Sequence, residues 1–402
     1  MSTISDQIVL ILKEVLQKPA ALHEPFFIGN EWKYIKECLD TNYVSSIGKF
    51  VGEFETRIAA FTGAAHAIAV VNGTAGLHIS LLLAGVKAED EVLIPTLTFV
   101  ATANAVAYCD ATPHFVDSEW RTLGISPEKL EEYLKKNAEI RRDGLTYNKR
   151  TGRCLRACIP VHVLGQPAEL EPLVKLCNKY NIVMIEDAAG ALGSLYRQRH
   201  VGNLGFMGVI SFNGNKIVTT GGGGIILTQD EVLAKKAKHI TTTAKVSHLW
   251  DFVHDQTAYN YRMPNLNAAL GCAQLEKLPF FLKEKRLLRE QYQRAFEHIP
   301  GIRCFTDADG NQSNCWLNAI ILEGHLYKLR DEILKKANES GISTRPVWAL
   351  MHTLKMYEHC PKMDLSTAEE IRSRMIELPS SVFLAERLKE VPVHHISDQE
   401  SE

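Results

Sequence analysis

Short, almost uninterrupted apolar runs recur through the first half of this chain, with helix-forming stretches between them. Residues 67–71, 91–95, 112–117, 155–163 and 182–187 are of this kind, and Val209-Ile210 and Ile225-Ile226-Leu227 continue the series. A strand with one wet face alternates polar and apolar residues, whereas a strand apolar throughout is covered on both faces. Such strands separated by helices predict an α/β fold with a mostly parallel sheet covered by helices. Helices are expected over 31–41, 50–61, 72–83, from Thr98, over 169–180 and from Glu231 to about 244. Another opens at Ser126-Pro127, a cap followed by proline at the first helical position, and runs to about 137.

With 402 residues and 46% hydrophobic content, the chain can bury a large core and divides into two domains. The expected division is an N-terminal helix and arm (1–30), a large α/β domain (31–276) and a small C-terminal α+β domain (277–402). Helices over 266–275 and 281–298 flank that boundary. A strand at 318–322, a helix at 325–340 and an extended piece at 342–347 build the small domain. Residues 138–152 are charged without an apolar period and read as an exposed insertion; the tail 391–402 reads as polar and frayed. A net charge of −2 gives no electrostatic case for nucleic acid or anionic membranes. No apolar run has the length of a membrane span, and the first residues lack a signal-peptide pattern. Nine scattered cysteines fit reduced thiols in a cytoplasmic enzyme. Cys154, Cys158 and His162 are spaced as if for a metal, but three ligands fall short of a structural site and no metal is expected.

One stretch carries unusual chemistry. Ser211-Phe212-Asn213-Gly214-Asn215-Lys216 lies between two apolar strands and is followed by Gly221 to Gly224. Glycines in a row let the backbone pass close to a neighbour. A lysine in such surroundings is desolvated, loses its proton more easily and becomes a nucleophile toward carbonyls, including the aldehyde of pyridoxal phosphate.

Ligands of open α/β sheets bind outside the carboxyl ends of the strands. Asn72-Gly73-Thr74-Ala75-Gly76 opens a helix there, with free N–H groups and a hydroxyl suited to a phosphate. Asp187 ends an apolar strand, where a carboxylate needs a cationic partner; a pyridinium nitrogen is one. Phe99, near another helix start, could stack on a flat cofactor. Each feature also has a structural reading, as turn glycine, helix cap or core aromatic. Their coincidence with Lys216 in one βα succession carries the weight.

These stretches resemble the DegT/DnrJ/EryC1/StrS aminotransferases, fold-type-I pyridoxal-phosphate enzymes that aminate nucleotide-linked keto sugars. Tyr43 to Gly48, Asn72 to Ala75, Pro95 to Asn104, Glu186 to Ala189, Ser211 to Lys216, Asn260 to Met263 and Leu378 to Ser381 carry the resemblance. His23-Glu24-Pro25-Phe26 with Gly29 to Glu31, and Arg345 to Trp348, are similar to the LegC subgroup of bacterial diamino-sugar and legionaminic-acid-type pathways. The resemblance implies Lys216 as Schiff-base lysine and proton shuttle, with Asp187 on the pyridine nitrogen. It implies Phe99 over the ring, and Gly73, Thr74, Ala75 and Ser211 at the phosphate, joined by Asn260 from the second subunit of a homodimer. His162, Arg262, Arg345, Trp348 and His352 are the implied sugar-nucleotide contacts. The family usually has Gln, Glu or His three positions after the aspartate; here that position is Gly190.

The implied reaction moves an amino group from L-glutamate to a keto sugar nucleotide, a UDP-2-acetamido-2,6-dideoxy-4-ketohexose aminated at C4. Two alternatives are a sugar 3-dehydratase, whose members carry histidine at the lysine position, and a regulator that binds the cofactor without turnover. A nicotinamide dehydrogenase is set aside, because Gly202 to Gly208 has the wrong glycine spacing.

Overall fold

The computed structural model describes residues 3–385; the tail expected at 391–402 lies outside them. The central sheet is built from β1 (His66–Val70), β2 (Glu91–Pro95), β3 (Thr112–Val116), β4 (Leu155–Cys158), β5 (Val183–Asp187), β6 (Met207–Ser211) and β7 (Gly224–Thr228). Their spatial order is β1-β7-β6-β5-β4-β2-β3. Every neighbouring pair from β6 to β3 is parallel, and β7 runs antiparallel to both β6 and β1. The carboxyl ends of β1, β2, β4, β5 and β6 therefore line one edge. Every residue of β2 and β7 is buried, the two-sided cover that the unbroken apolar runs require.

A second sheet holds β8 (Ile302–Cys304), β9 (Asn318–Leu322), β10 (Arg345–Pro346) and β11 (Met375–Leu378) in the order β8-β9-β11-β10, antiparallel throughout. The N-terminal helix Ile4–Leu16 begins in a capping box between Thr3 and Asp6. Its Ile8, Leu12 and Leu16 pack with Ile320 of β9 and Ile376 of β11, so it covers the small sheet.

Two local expectations need correction, and a third gains detail. The two helices expected over 266–275 and 281–298 are one, Asn265–Phe296, with Pro279 inside. An interior proline costs about 3 kcal/mol, but Leu278, Phe281 and Leu282 beside it are buried and hold the helix together. The strand expected over 155–163 stops at Cys158. Pro160 has no N–H to donate, and the chain turns through a 3-10 segment, Val163–Gly165. Residues 138–152 are largely exposed, as expected, and fold as a hairpin in which Ala138–Ile140 pairs with Thr146–Asn148. Asn148 is buried and donates to Glu91 Oε2 at 2.9 Å.

Candidate active site

The carboxyl ends of β1, β5 and β6 face β10, β11 and the approach to β9 across a cavity of about 420 Å³. Asp187, last residue of β5, lies in its wall and is 5% exposed. Its Oδ2 accepts from Thr102 Oγ1 at 2.7 Å and its Oδ1 from Ala189 N at 3.1 Å. Neither bond brings a positive charge to this buried carboxylate.

Lys216 follows β6 in a turn closed by its own N–H to Asn213 O (3.0 Å). The loop is held at its base by Phe212 N to Gly223 O (2.8 Å) and Thr220 N to Phe212 O (2.9 Å). The lysine points into the cavity, where burial pulls its amine from 10.5 down to about 8 against the opposing field of Asp187. Nζ lies 3.5 Å from the centre of the Trp316 indole.

After β1 the chain turns into the helix Gly73–Leu83. Asn72 caps it, Oδ1 accepting from Ala75 N at 2.8 Å. The Ala75 amide is thereby occupied, and the N–H groups of Gly73 and Thr74 are the ones left in the first turn. Ser211 stands beside them: a Cβ on Gly73 would lie 3.1 Å from Ser211 Cβ. The glycine run after Lys216 has its reason here. A Cβ on Gly224 would come 2.7 Å from both Asn72 O and Gly73 N, so β7 passes under this turn only as glycine. Phe99 is 57% exposed at the rim, its ring centre 6.3 Å from that of Trp348, which is 6.4 Å from Trp316.

These residues fit pyridoxal phosphate. Asp187 offers a buried carboxylate for the ring nitrogen, Lys216 an amine of lowered basicity for the aldehyde, and Phe99 a ring face. The helix start at Gly73 and Thr74, with Ser211, suits the phosphate.

Of the other expected residues, His162, Arg345 and Trp348 line the cavity. His162 is tied on both nitrogens: Nδ1 accepts from Ala168 N (3.1 Å), so Nε2 carries the proton and donates to Glu186 Oε2 (3.2 Å). Glu186 also accepts from the N–H groups of Gly202 (2.7 Å), Leu204 (2.6 Å) and Gly205 (2.8 Å). The glycine loop set aside above thus wraps a buried carboxylate. Asn260, Arg262 and His352 lie outside the cavity within this chain. Asn260 is exposed, Arg262 bridges to Val70, and His352 sits between Thr96 Oγ1 (2.8 Å) and Glu369 Oε1 (3.4 Å).

Sequence reasoning missed Leu22, Thr102, Trp316 and Glu377, all in the cavity wall. Leu22 arrives on the N-terminal arm, which runs beside Ser380 and Ser381 through Ser380 N to Leu22 O and Glu24 N to Ser381 Oγ, both 2.8 Å. Glu377 is 2% exposed in β11, and burial lifts its carboxyl to about 8. A lone charge inside Met375-Ile376-Glu377-Leu378 was the available signal. Among the described residues no cluster of three metal-ligating side chains exists, and no helix is long and apolar enough to cross a membrane.

Comparison with known proteins agrees with this geometry. The model of the DegT/DnrJ/EryC1/StrS aminotransferase family matches residues 27–394. GDP-perosamine synthase of Caulobacter vibrioides is 36% identical over 366 residues, 90% of this chain and 93% of that one. GDP-perosamine synthase of Vibrio cholerae is 34% identical over 362 residues, 89% of this chain and 93% of the other. Helicobacter pylori PseC, an aminotransferase involved in the biosynthesis of pseudoaminic acid, superposes with a TM-score of 0.83 at 24% identity, covering 92% of this chain and 96% of its own; at that identity it speaks for the fold. A match across nearly the whole chain and a cleft built from Lys216, Asp187 and the Gly73 turn lead to one conclusion: the chain belongs to the DegT/DnrJ/EryC1/StrS aminotransferase family and is a pyridoxal-phosphate-dependent sugar aminotransferase.

Proposed function

We propose that this enzyme moves the amino group of L-glutamate to C4 of a UDP-linked 2-acetamido-2,6-dideoxy-4-ketohexose, for bacterial diamino-sugar or legionaminic-acid-type glycans. The observation that carries the amination is the placement of the Lys216 amine and the Asp187 carboxylate in one cavity wall. Pyridoxal phosphate, when bound, supplies an aldehyde and an electron sink. Asp187 keeps a proton on the ring nitrogen, and the first turn at Gly73 and Thr74, with Ser211, holds the phosphate. Lys216, once its amine is free, is the base that moves a proton between adjacent carbons. Phe99 covers the ring. Arg345, Trp348 and the face of His162 meet the sugar nucleotide. The LegC-like stretches at 23–31 and 345–348 support the choice of sugar.

The active unit is a homodimer working in the cytoplasm. A hairpin, Lys245–Val246 with Val253–His254, exposes Leu249 (86%), Trp250 (77%) and Phe252 (78%), an apolar tip that favours a second copy of this chain. Asn260, exposed a few residues beyond, reaches the neighbouring phosphate in that assembly. The 3-dehydratase alternative is disfavoured by Lys216 itself.

The test is amino transfer. Purified protein with pyridoxal phosphate should show a visible band that L-glutamate bleaches, with release of 2-oxoglutarate. A panel of UDP-, GDP- and TDP-linked 4-keto sugars then identifies the acceptor by NMR of the product. Exclusive use of a GDP- or TDP-linked sugar would overturn the acceptor assignment. Failure to release 2-oxoglutarate would favour the regulator.

A further inference from the structure

Gly190 stands three positions after Asp187 and lines the cavity. A Cβ placed on it would collide with Trp316, within contact of Cε3 and 2.7 Å from Cζ3. The indole occupies the space a side chain at 190 would use. It is fixed from several directions. Trp316 N donates to Asn314 Oδ1 (2.9 Å), and Nε1 donates to Asn215 O (2.8 Å) in the loop that carries Lys216. Trp316 O accepts from the buried Lys285 Nζ (3.1 Å). Asn314 in turn donates to Gly190 O and Leu192 O, both at 2.9 Å, so one amide side chain ties the glycine to the tryptophan. Against this fixed ring lies Lys216 Nζ, 3.5 Å from its centre.

We propose that Trp316 is a positioning residue of this site, filling the place of a side chain at 190 and parking the free amine of Lys216 on its indole face. This rests on Lys216 being the reactive amine. Burial disfavours the charged lysine; an aromatic face at this distance stabilises it without an acceptor that would compete for its proton. The residue pair at 190 and 316 acts as one unit, a small backbone position with a large ring laid over it. The absence of a polar side chain at 190 is thereby structural: the enzyme holds its lysine by a π face.

The experiment titrates the Lys216 amine in cofactor-free protein, by trace acetylation between pH 6 and 10 read by mass spectrometry on the Lys216 peptide. The titratable and charged groups around this amine are left in place: Asp187 from β5, His23 from the N-terminal arm, which burial holds neutral, Lys285 on Trp316 O, and Arg345 and Glu377 from the small sheet. Trp316→Leu should lower the Lys216 pKa by about half a unit to one and a half units. Trp316→Phe, which keeps an aromatic face, should stay near wild type. Gly190→Ala should displace the indole and lower the value too, and the double variant Gly190→Ala with Trp316→Leu should fall no further than either alone. An unchanged value in both Trp316→Leu and Gly190→Ala would overturn the proposal, as would equal losses in the Leu and Phe variants. Labelling of the remaining lysines reports folding; should the Leu variant not fold, Gly190→Ala against Trp316→Phe decides. Because the titration needs no cofactor, wild type that failed to take up pyridoxal phosphate would overturn the proposed function while leaving this result intact.

Discussion

Glu377 and Arg345 stand opposite each other in register across β11 and β10, yet among the described residues Glu377 Oε1 has no hydrogen-bond partner. The arginine side is exposed and the glutamate side buried, so the arginine's field only partly offsets desolvation and the carboxyl rises to about 8. An acid raised in the folded state holds its proton where the unfolded chain has lost it. Stability therefore falls as pH rises from about 4.5 to about 8 and levels off above that. Glu377→Gln, neutral at every pH, should remove this slope, on the order of a few kcal/mol across that window. Melting of both cofactor-free proteins from pH 5 to 8 checks it; parallel curves would count against a neutral Glu377.

Lys216→Ala should still bind pyridoxal phosphate through the Gly73 turn and Asp187, but lose the covalent link. Turnover should fall on the order of a thousandfold or more. Borohydride reduction followed by mass spectrometry separates the two effects: wild type gains the mass of the reduced cofactor, and the variant does not.

Asp187→Asn removes the buried charge proposed to hold the ring nitrogen. A loss of about 3–5 kcal/mol is expected for breaking such a pair, on the order of 10²–10⁴-fold in cofactor affinity or turnover. Thr102→Val deletes one 2.7 Å bond to that carboxylate and should cost about 1.5–3 kcal/mol. Titration with pyridoxal phosphate measures both, and a Thr102 variant as weak as the Asp187 one would contradict this ranking.

Glu186 behaves oppositely to Glu377. His162 and three backbone N–H groups hold it charged, so its pKa is lowered although it is buried. That stabilisation is present above the unfolded value near 4.5 and disappears as pH falls through the folded one. Glu186→Gln should lose about 3 kcal/mol at pH 7, with the deficit shrinking in acid, and His162→Ala should cost more free energy in stability than RT ln of its KM ratio for the sugar. Calorimetry at pH 4 and 7, beside steady-state kinetics, tests the pair.

Mixing inactive Asn260→Ala and Lys216→Ala proteins should restore part of the activity, because a mixed dimer contains one site with neither change. Trp250→Asp with Leu249→Asp should abolish this rescue and shift sedimentation toward the monomer. Rescue that survives those substitutions would place the interface elsewhere.

The central strands were readable because two-sided burial leaves unbroken apolar runs. The residues at their ends were readable because lysine, aspartate and a small-residue turn are conspicuous there. The helix Asn265–Phe296 was misread at Pro279, where packing of Leu278 and Phe281, a gain the sequence does not display, outweighs a local penalty that it does. Trp316 stayed hidden for a different reason: just ahead of a strand of the small sheet, an aromatic residue reads as core. The lone charge of Glu377 was visible, but only the meeting of the two sheets turns both toward Lys216.

That meeting gives the cavity two walls. The wall from the central sheet carries Asp187, Ser211, Lys216 and the Gly73 turn; the wall from the small sheet carries Arg345, Trp348 and Glu377, with Trp316 just ahead of it. On the proposed assignment the cofactor contacts sit mostly in one stretch of the sequence and most of the sugar contacts in another, with His162 and Trp316 crossing between them. Under that assignment, substitutions in the second stretch would retune the acceptor while leaving the amine chemistry of the first in place.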